Sequence, residues 1–553
     1  MSRVGYAAAG ISLAVVASLA AAGCGGSSNK SSSAAPPCFG KHAVTGTTTP
    51  AGTGGAPGPA TAAAAAASWT LPGGNLQNTR DVASAITSSN VSKLGVAWTL
   101  PIHALSYATT PVVVNGVVYA QDMESNVMAI QLATGRLLWT HDYNSPNGGP
   151  DGVNVANGVV YAATSHAAVA LDAATGRQLW TRTLIGNNHE GIDMAPGYRD
   201  GTVYVSTVPV NPTVGEYLGN AKGVLWALNA QTGAPEWTWD EVGNLWGKPA
   251  LNSGGGLWDP PTFDAQGNIY LGIANPGPIT YPASYPWATS RPGPDLYTDS
   301  VVKLSPQGKL LWHYQLTPHD LYDWDLQDSP VLTTAHGQPV VVDGGKAGIM
   351  IELNAQTGKL LWRLPVGQHS GHDNDGLRLE NDTPASHISL PAKFCLEPGP
   401  FGGIESQLAS NGTTTFAAVN NLPVLMTKAK GYDEPGAVFE QAINQGTGEM
   451  VAVSQDTGKV EWDDKLQSSP YGAAAVTNDV VFTTTFHGDL YAFDAATGAV
   501  LRTIRLPFRT NAPVTVDGDY LITAASVLSS VKGHVLIIAF KLGGTGTLPR
   551  PAS

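Results

Sequence analysis

Charge is scarce in this sequence. Only 13% of its 553 residues are charged, and 29 basic residues face 42 acidic ones, for a net charge of −13. A non-specific nucleic-acid binder neutralises phosphates with clustered Lys and Arg, so that class is excluded. Cysteine is scarcer still: 3 residues cannot build a disulfide scaffold in a chain of this size. Beyond the first two dozen residues no run approaches the roughly 20 apolar residues that a membrane span needs. Turn formers, by contrast, are plentiful, with 64 Gly and 39 Pro. Gly loosens helices and Pro breaks them, so the composition suits a chain that turns often.

The N-terminus reads as an export signal over residues 1–23. Arg3 precedes an apolar run from Val4 to Ala22, ending in small residues before Cys24. The segment Leu19-Ala20-Ala21-Ala22-Gly23-Cys24 resembles a bacterial lipobox. That resemblance implies acylation of Cys24 and a protein exported and lipid-anchored on the outer face of the cell membrane. Residues 24–68 are Ser, Gly, Pro, Thr and Ala with few large apolar side chains, and read as a tether. Cys38 lies in the tether and Cys395 far downstream. A disulfide, free thiols and an intermolecular bridge all remain open.

From Trp69 the chain repeats. Thr134-Gly135-Arg136-Leu137-Leu138-Trp139 is followed by Asp172-Ala173-Ala174-Thr175-Gly176-Arg177-Gln178-Leu179-Trp180. The same phrase ends at Trp237, Trp312, Trp362 and Trp462, with an early relative at Trp98 and a degenerate copy at Arg502. The tightest spacings are 40 and 41 residues, the period of propeller blades with four short strands each. Val112-Val113-Val114-Asn115-Gly116-Val117-Val118-Tyr119-Ala120 is a hairpin signal inside one unit. The expectation is an all-β, eight-bladed propeller over 69–541, with antiparallel blades docked through Trp, and a C-terminal tail over 542–553. Some spacings widen to 57, 75, 50 and 100 residues, and the excess must leave the sheets as loops, where function concentrates.

The opening Trp69-Thr70-Leu71-Pro72-Gly73-Gly74-Asn75, then Asn78-Thr79-Arg80 and Ala97-Trp98, resembles the start of the quinoprotein alcohol and glucose dehydrogenases. The resemblance implies an eight-bladed propeller holding pyrroloquinoline quinone and a metal, calcium or a lanthanide, on the ring axis. Four segments are similar to the family's site. Gly254-Gly255-Gly256-Leu257-Trp258 resembles the glycine run before the tryptophan floor under the quinone, where a flat π face is needed. Asn275, in Ile273-Ala274-Asn275-Pro276, and Glu216, in Gly215-Glu216-Tyr217, match metal-binding positions. Thr317-Pro318-His319-Asp320-Leu321-Tyr322-Asp323-Trp324-Asp325 resembles the loop whose second aspartate, Asp323, is catalytic base and metal neighbour, with Asp325 a further carboxylate. Lys346, in Gly344-Gly345-Lys346-Ala347-Gly348, matches the cation set against the quinone carbonyls.

What the family implies is oxidation of an alcohol or sugar hydroxyl. Electrons would pass to an external acceptor, a cytochrome or a membrane quinone. No Cys-x-x-Cys-His occurs, so the chain is expected to carry no haem. Two departures stand out: Gly149-Pro150-Asp151-Gly152-Val153-Asn154 replaces an adjacent cysteine pair and arginine, and Asp193 stands where a threonine precedes Ala195-Pro196. The alternative is a non-catalytic propeller lipoprotein serving as an envelope assembly or binding scaffold, since a fold does not fix a function.

Overall fold

Short β-branched runs on either side of Asn-Gly fold back on themselves. Asn115 and Gly116 both take positive φ, 51° and 73°, the geometry that a two-residue hairpin with the natural strand twist requires. Val114 then pairs with Val117 and Val112 with Tyr119. Asn157-Gly158 and Asp200-Gly201 repeat the device. In a computed structural model, describing residues 38–39, 68–186, 189–211, 215–216, 220–248, 251–277, 291, 293–375, 391, 393–427, 431–432, 443–526 and 535–549, these hairpins build eight four-stranded antiparallel sheets. The leader 1–23 and nearly all of the tether lie outside the described residues. Among the described residues, no helix is long and apolar enough to cross a membrane.

The sheets are the blades of one ring. Blades 1 to 7 span 112–141, 154–183, 197–240, 262–315, 331–365, 409–466 and 475–505. Blade 8 takes three strands from the C-terminal end, Thr515–Asp517, Tyr520–Ser526 and Val535–Leu542. Its outer strand is Leu94–Ile102 from the N-terminal side, with Leu94 opposite Leu542 and Ile102 opposite Val535. The ring is thus closed within blade 8, by a strand from one side of the chain pairing with one from the other.

The repeated phrase is the seam between blades. Each Trp lies over the turn glycine of the next blade, six of them in Thr-Gly turns and Gly308 in a Gln-Gly turn: Trp98 on Gly135, Trp139 on Gly176, Trp180 on Gly233, Trp237 on Gly308, Trp312 on Gly358, Trp362 on Gly458 and Trp462 on Gly498. These glycines have φ between 61° and 76°, and a Cβ on Gly176 would stand 2.5 Å from the Trp139 ring. Only glycine satisfies both demands. The indole N–H then bonds a carbonyl just ahead of the turn glycine, as Trp98 does to Leu132 at 2.7 Å and Trp462 to Ala495 at 2.9 Å. At the eighth seam Arg502 donates to the Ser92 carbonyl instead.

The irregular spacings appear as loops carrying small sheets of their own, including a ladder between Ser253–Gly254 and Pro276–Gly277 and one joining Lys393–Leu396 to Val424–Thr427. Cys38 and Cys395, left open by the sequence, are disulfide-bonded. The neighbouring Phe39 packs against Leu422, Ile443 and Phe486, beside Phe401.

Candidate active site

The site grows from close backbone approaches that glycine permits. Gly254, Gly255 and Gly256 all have positive φ, at 102°, 72° and 114°. A Cβ on Gly254 would stand 2.4 Å from the Pro276 Cα, and one on Gly256 2.5 Å from a Val208 methyl. The strands therefore touch: the Gly255 amide donates to the Asn275 carbonyl at 2.8 Å and the Ala274 amide to the Gly256 carbonyl at 3.0 Å. This places Trp258 half-buried on Val208 and on Ala274, the residue before Asn275. No turn glycine lies under Trp258, which sets it apart from the seven seam rings. Its indole N–H has no partner among the described residues. Behind the run, the buried Glu241 carboxyl accepts from Ser206 Oγ at 2.6 Å and the Gly256 amide at 2.5 Å. Burial pushes it up to about 8.

The acid loop is tied down by its own first aspartate. Asp320 accepts from the Tyr322 and Trp324 amides, each at 2.8 Å, which turns the chain and puts Asp323 at φ +62°. A non-glycine residue there is strained, and such strain persists only where the surroundings impose it. The loop is enclosed, as its interleaved aromatics suggested. Tyr322 and Trp324 are fully buried in an edge-to-face pair at 4.9 Å. The Tyr322 hydroxyl donates to Asp375 at 2.6 Å, and His372 Nδ1 lies 2.8 Å from the same carboxylate oxygen. Asp325 Oδ1 accepts the Asn275 amide at 2.6 Å.

Lys346 arrives on a strand that presses on this loop. A Cβ on Gly345 would stand 2.1 Å from the Asp325 carbonyl, and the Lys346 amide donates to that carbonyl at 3.0 Å. The ammonium contacts Asp325, lies 3.8 Å from Asp323 Oδ1 and 5.7 Å from the centre of the Phe401 ring. Burial alone would lower it, but Asp323, Asp325 and Glu405 outweigh that and hold it well above its usual value.

Asn275, Asp323, Asp325 and Lys346 thus meet, with Trp258 joined to them through Ala274, the residue before Asn275. Glu216 pairs in a short ladder with Val210, but its side chain lies outside the described residues. The two departures in blades 2 and 3 meet each other: the Asp151 amide approaches the Asp193 carbonyl at 3.4 Å, and Asp193 Oδ1 accepts the Gly148 amide at 2.8 Å. The carboxyl of Asp151 is pushed well up by burial and then by Asp193. Sequence reading passed over Glu241, Asp295, Asp299 and Arg291. Each is fully buried, yet none sits in a motif, and an isolated Asp in a loop has an ordinary role as a turn former.

The donor chemistry fits a hard cation. Asn275 Oδ1 is a buried neutral oxygen with no partner among the described residues, and the carboxylates beside it are oxygen donors that suit calcium or a lanthanide better than zinc. Among the described residues, however, no three His, Cys, Asp or Glu side chains form a ready-made metal group. The Lys346 ammonium lies between Asp323 and Asp325. The indole of Trp258, on Ala274 next to Asn275 and with its N–H unpartnered among the described residues, fits a flat polar ring.

The glucose/ethanol/alcohol dehydrogenase β-propeller model matches residues 69–166 and 195–393. A model for the outer membrane protein assembly factor BamB matches 123–254 and 442–543, which leaves out Trp258, Asn275, Asp323, Asp325 and Lys346. A quinohemoprotein alcohol dehydrogenase of Comamonas testosteroni is 29% identical over 485 residues, covering 75% of this chain and 66% of that protein, just under two thirds of its length. A 1-butanol dehydrogenase (cytochrome c) of Thauera butanivorans is 28% identical, covering 84% of this chain and 76% of that protein. The crystal structure of the Comamonas protein superposes with a TM-score of 0.72 at 25% identity, covering 88% of this chain and 82% of that one. These relatives correct the expectation of no haem, since the Comamonas protein is named a quinohemoprotein. The missing Cys-x-x-Cys-His bears only on covalent attachment, and haem is also held through axial side chains without that motif. With more than half of its residues matched, the chain belongs to the quinoprotein glucose/ethanol/alcohol dehydrogenase family of β-propellers.

Proposed function

We propose that this chain is a pyrroloquinoline quinone-dependent oxidoreductase acting on the CH–OH group of an alcohol. The observation that carries the reading is the meeting of Asn275, Asp323, Asp325 and Lys346 around one buried point beside Trp258. A scaffold has no need to bury such charge, and charge burial is costly unless it serves a site.

When bound, the quinone supplies a two-electron acceptor and the metal a Lewis acid. The chain does the rest. Trp258 offers a flat face, while Asn275, Asp325 and Glu216 supply oxygen donors to calcium or a lanthanide. Asp323 takes the hydroxyl proton of the substrate as general base. Lys346 sets a fixed positive charge against the electron-rich end of the reduced ring. A sugar hydroxyl is a second substrate class with the same chemistry. The acceptor is external, a cytochrome or a membrane quinone. Printed names such as 1-butanol dehydrogenase (cytochrome c) support the former. Acylation of Cys24 places the propeller at the outer face of the membrane, testable by labelled fatty-acid incorporation that Cys24→Ser abolishes.

The test is to incubate the purified chain with pyrroloquinoline quinone and either calcium or lanthanum, then follow dye reduction with alcohols and aldoses. Metal-dependent turnover is expected. Failure to bind the quinone with either metal overturns the reading.

A further inference from the structure

The face that carries the acid loop also carries an apolar cluster that the proposed chemistry leaves unused. In a blade of four antiparallel strands, the turn between the second and third strands and the link from the outer strand to the next blade emerge at the same end. Lys346 sits in such a turn of blade 5, between Gln338–Gly345 and Ile349–Asn354, and the acid loop is the link from blade 4 to blade 5. Leu422 and Ile443 lie in the corresponding connection of blade 6 and Phe486 in that of blade 7. Phe401 and Tyr471 lie in the links into those two blades. Leu422, Ile443 and Phe486 form one buried cluster, and Phe39, Phe401 and Tyr471 pack on it half-buried.

Phe401 joins this cluster to the site. Its turn closes through the Gly402 amide on the Gly399 carbonyl at 2.9 Å, and the Gly399 amide donates to the Leu422 carbonyl at 2.8 Å. The same turn is pressed on the Lys346 strand, for a Cβ on Gly403 would stand 2.2 Å from the Lys346 carbonyl oxygen. The Tyr471 hydroxyl donates to the Phe401 carbonyl at 2.8 Å. The centre of the Phe401 ring lies 5.7 Å from the Lys346 ammonium, which itself lies 3.8 Å from Asp323 Oδ1. Apolar side chains therefore begin one ring away from the charged groups.

Phe39 is the member of the cluster that no blade supplies. It belongs to the tether that precedes Trp69. The bond from Cys38 to Cys395 fixes it on this face, because Cys395 pairs with Leu425 in the short ladder next to Leu422. Ordering a linker costs backbone entropy, and a covalent staple offsets that cost by constraining the unfolded chain. The result is an aromatic ring added to the end of the propeller where the acid loop and Lys346 lie.

We infer that Phe39 is a specificity-determining residue for the alcohol oxidation proposed above, on which the inference rests. Held by the Cys38–Cys395 bond, it forms one wall of an apolar vestibule beside Lys346 that takes the alkyl tail of a medium-chain primary alcohol and disfavours a sugar. The tail gains by burying its methylenes against these rings. A sugar would strip water from its remaining hydroxyls against aliphatic and aromatic side chains.

The experiment measures dye-linked oxidation of ethanol, hexanol and glucose by the full chain loaded with quinone and calcium or lanthanum. The parent is expected to have a higher kcat/KM for hexanol than for ethanol or glucose. Phe39→Ala should raise the KM for hexanol ~10-fold, the order of a lost hydrophobic contact, and that for ethanol less. Its kcat for hexanol should stay within ~2-fold, because a wall binds the tail equally in the ground and transition states. Phe39→Leu, which keeps an apolar wall, should recover most of the loss. Cys395→Ser, which frees the ring without changing it, should shift hexanol in the same direction as Phe39→Ala. Calorimetry of hexanol with the quinone-free chain should show the same loss of affinity independently of turnover. A parental KM for hexanol in Phe39→Ala overturns the inference, as do equal losses for ethanol and hexanol, the mark of a tether that is only structural. A parent that prefers glucose also overturns it, while leaving the dehydrogenase reading standing. If the parent oxidises none of the three, the proposed function fails, and the inference with it.

Discussion

At seven blade seams a tryptophan ring lies on a bare glycine; in the acid loop Asp320, Asp323 and Asp325 are buried, with the Lys346 ammonium set against the last two. Both regions are buried, and both rely on glycines where backbones or rings approach too closely for a Cβ. They differ in what burial achieves. At a seam it removes apolar surface from water and satisfies the one polar atom of the indole, so the contact stabilises the ring wherever it recurs. In the loop it strips water from charges, which costs stability and is tolerated because backbone amides and counter-charges hold the groups in place. The seams repeat because every blade poses the same packing problem. The loop occurs once because it serves one site.

The largest effect that should separate the two regions is on turnover. Asp323→Ala is expected to lower dye-linked alcohol oxidation ~10²- to 10⁴-fold, the usual worth of a general base. Its thermal unfolding should stay close to that of the parent, because a loop residue leaves every seam intact. Equal turnover in the variant would show that another group takes the proton.

A seam should answer the opposite way. In Gly176→Ala the new Cβ meets the Trp139 ring at 2.5 Å in a backbone with φ +71°, and left-handed strain plus overpacking should cost ~3 kcal/mol. Denaturant unfolding reads the loss, while the Michaelis constant for the alcohol should not move. Unchanged stability would mean that the ring can retreat from the turn.

Glu241 tests whether the glycine run behind Trp258 behaves like the site or like a seam. Folded Glu241 keeps its proton up to about 8, while an unfolded Glu loses it near ~4.3. Between those values the native state binds more protons. This residue's contribution to stability is therefore full below ~4.3 and is lost as pH rises through about 8. Glu241→Gln should remove a slope of up to ~1.4 kcal/mol per pH unit from the stability profile in that window. A parallel profile for parent and variant would show that the proton is not held.

The smallest effect is expected at Tyr322. Phe in its place removes the hydroxyl that donates to Asp375 and should cost ~1 kcal/mol, the net worth of one hydrogen bond. Turnover should stay within a factor of ~2, because that amount of strain relief or loss is small against a chemical barrier. A large fall in turnover would instead tie the Asp375 and His372 pair to the loop's chemistry.

The ring was legible in the sequence because its rule is local and repeated. Trp139 and Gly176 each belong to the same phrase, one unit apart, so seven partners could be read from spacing, and the degenerate copy at Arg502 marks the closing seam. The acid loop was legible as a contiguous motif. Its surroundings were not. Asp299 is tied to the Ala274 carbonyl and the Leu316 amide, and Glu241 accepts from Gly256 of the glycine run and from Ser206, all distant in sequence. Those contacts depend on how blades and inserted loops close in three dimensions. The same holds for the bond between Cys38 and Cys395, 357 residues apart in the chain.

The closing strand has a consequence in time. Leu94–Ile102 is made hundreds of residues before its partner Val535–Leu542. Until those residues arrive, the strand stays an unpaired edge, and the apolar side chains of blades 1 and 7 that pack on blade 8 lack their cover. Pairing across nearly the whole chain is slow, and exposed edges invite association. The ring therefore closes late, and any carrier that keeps the nascent chain from aggregating must shield the waiting strand and the facing sides of blades 1 and 7 until Val535–Leu542 docks.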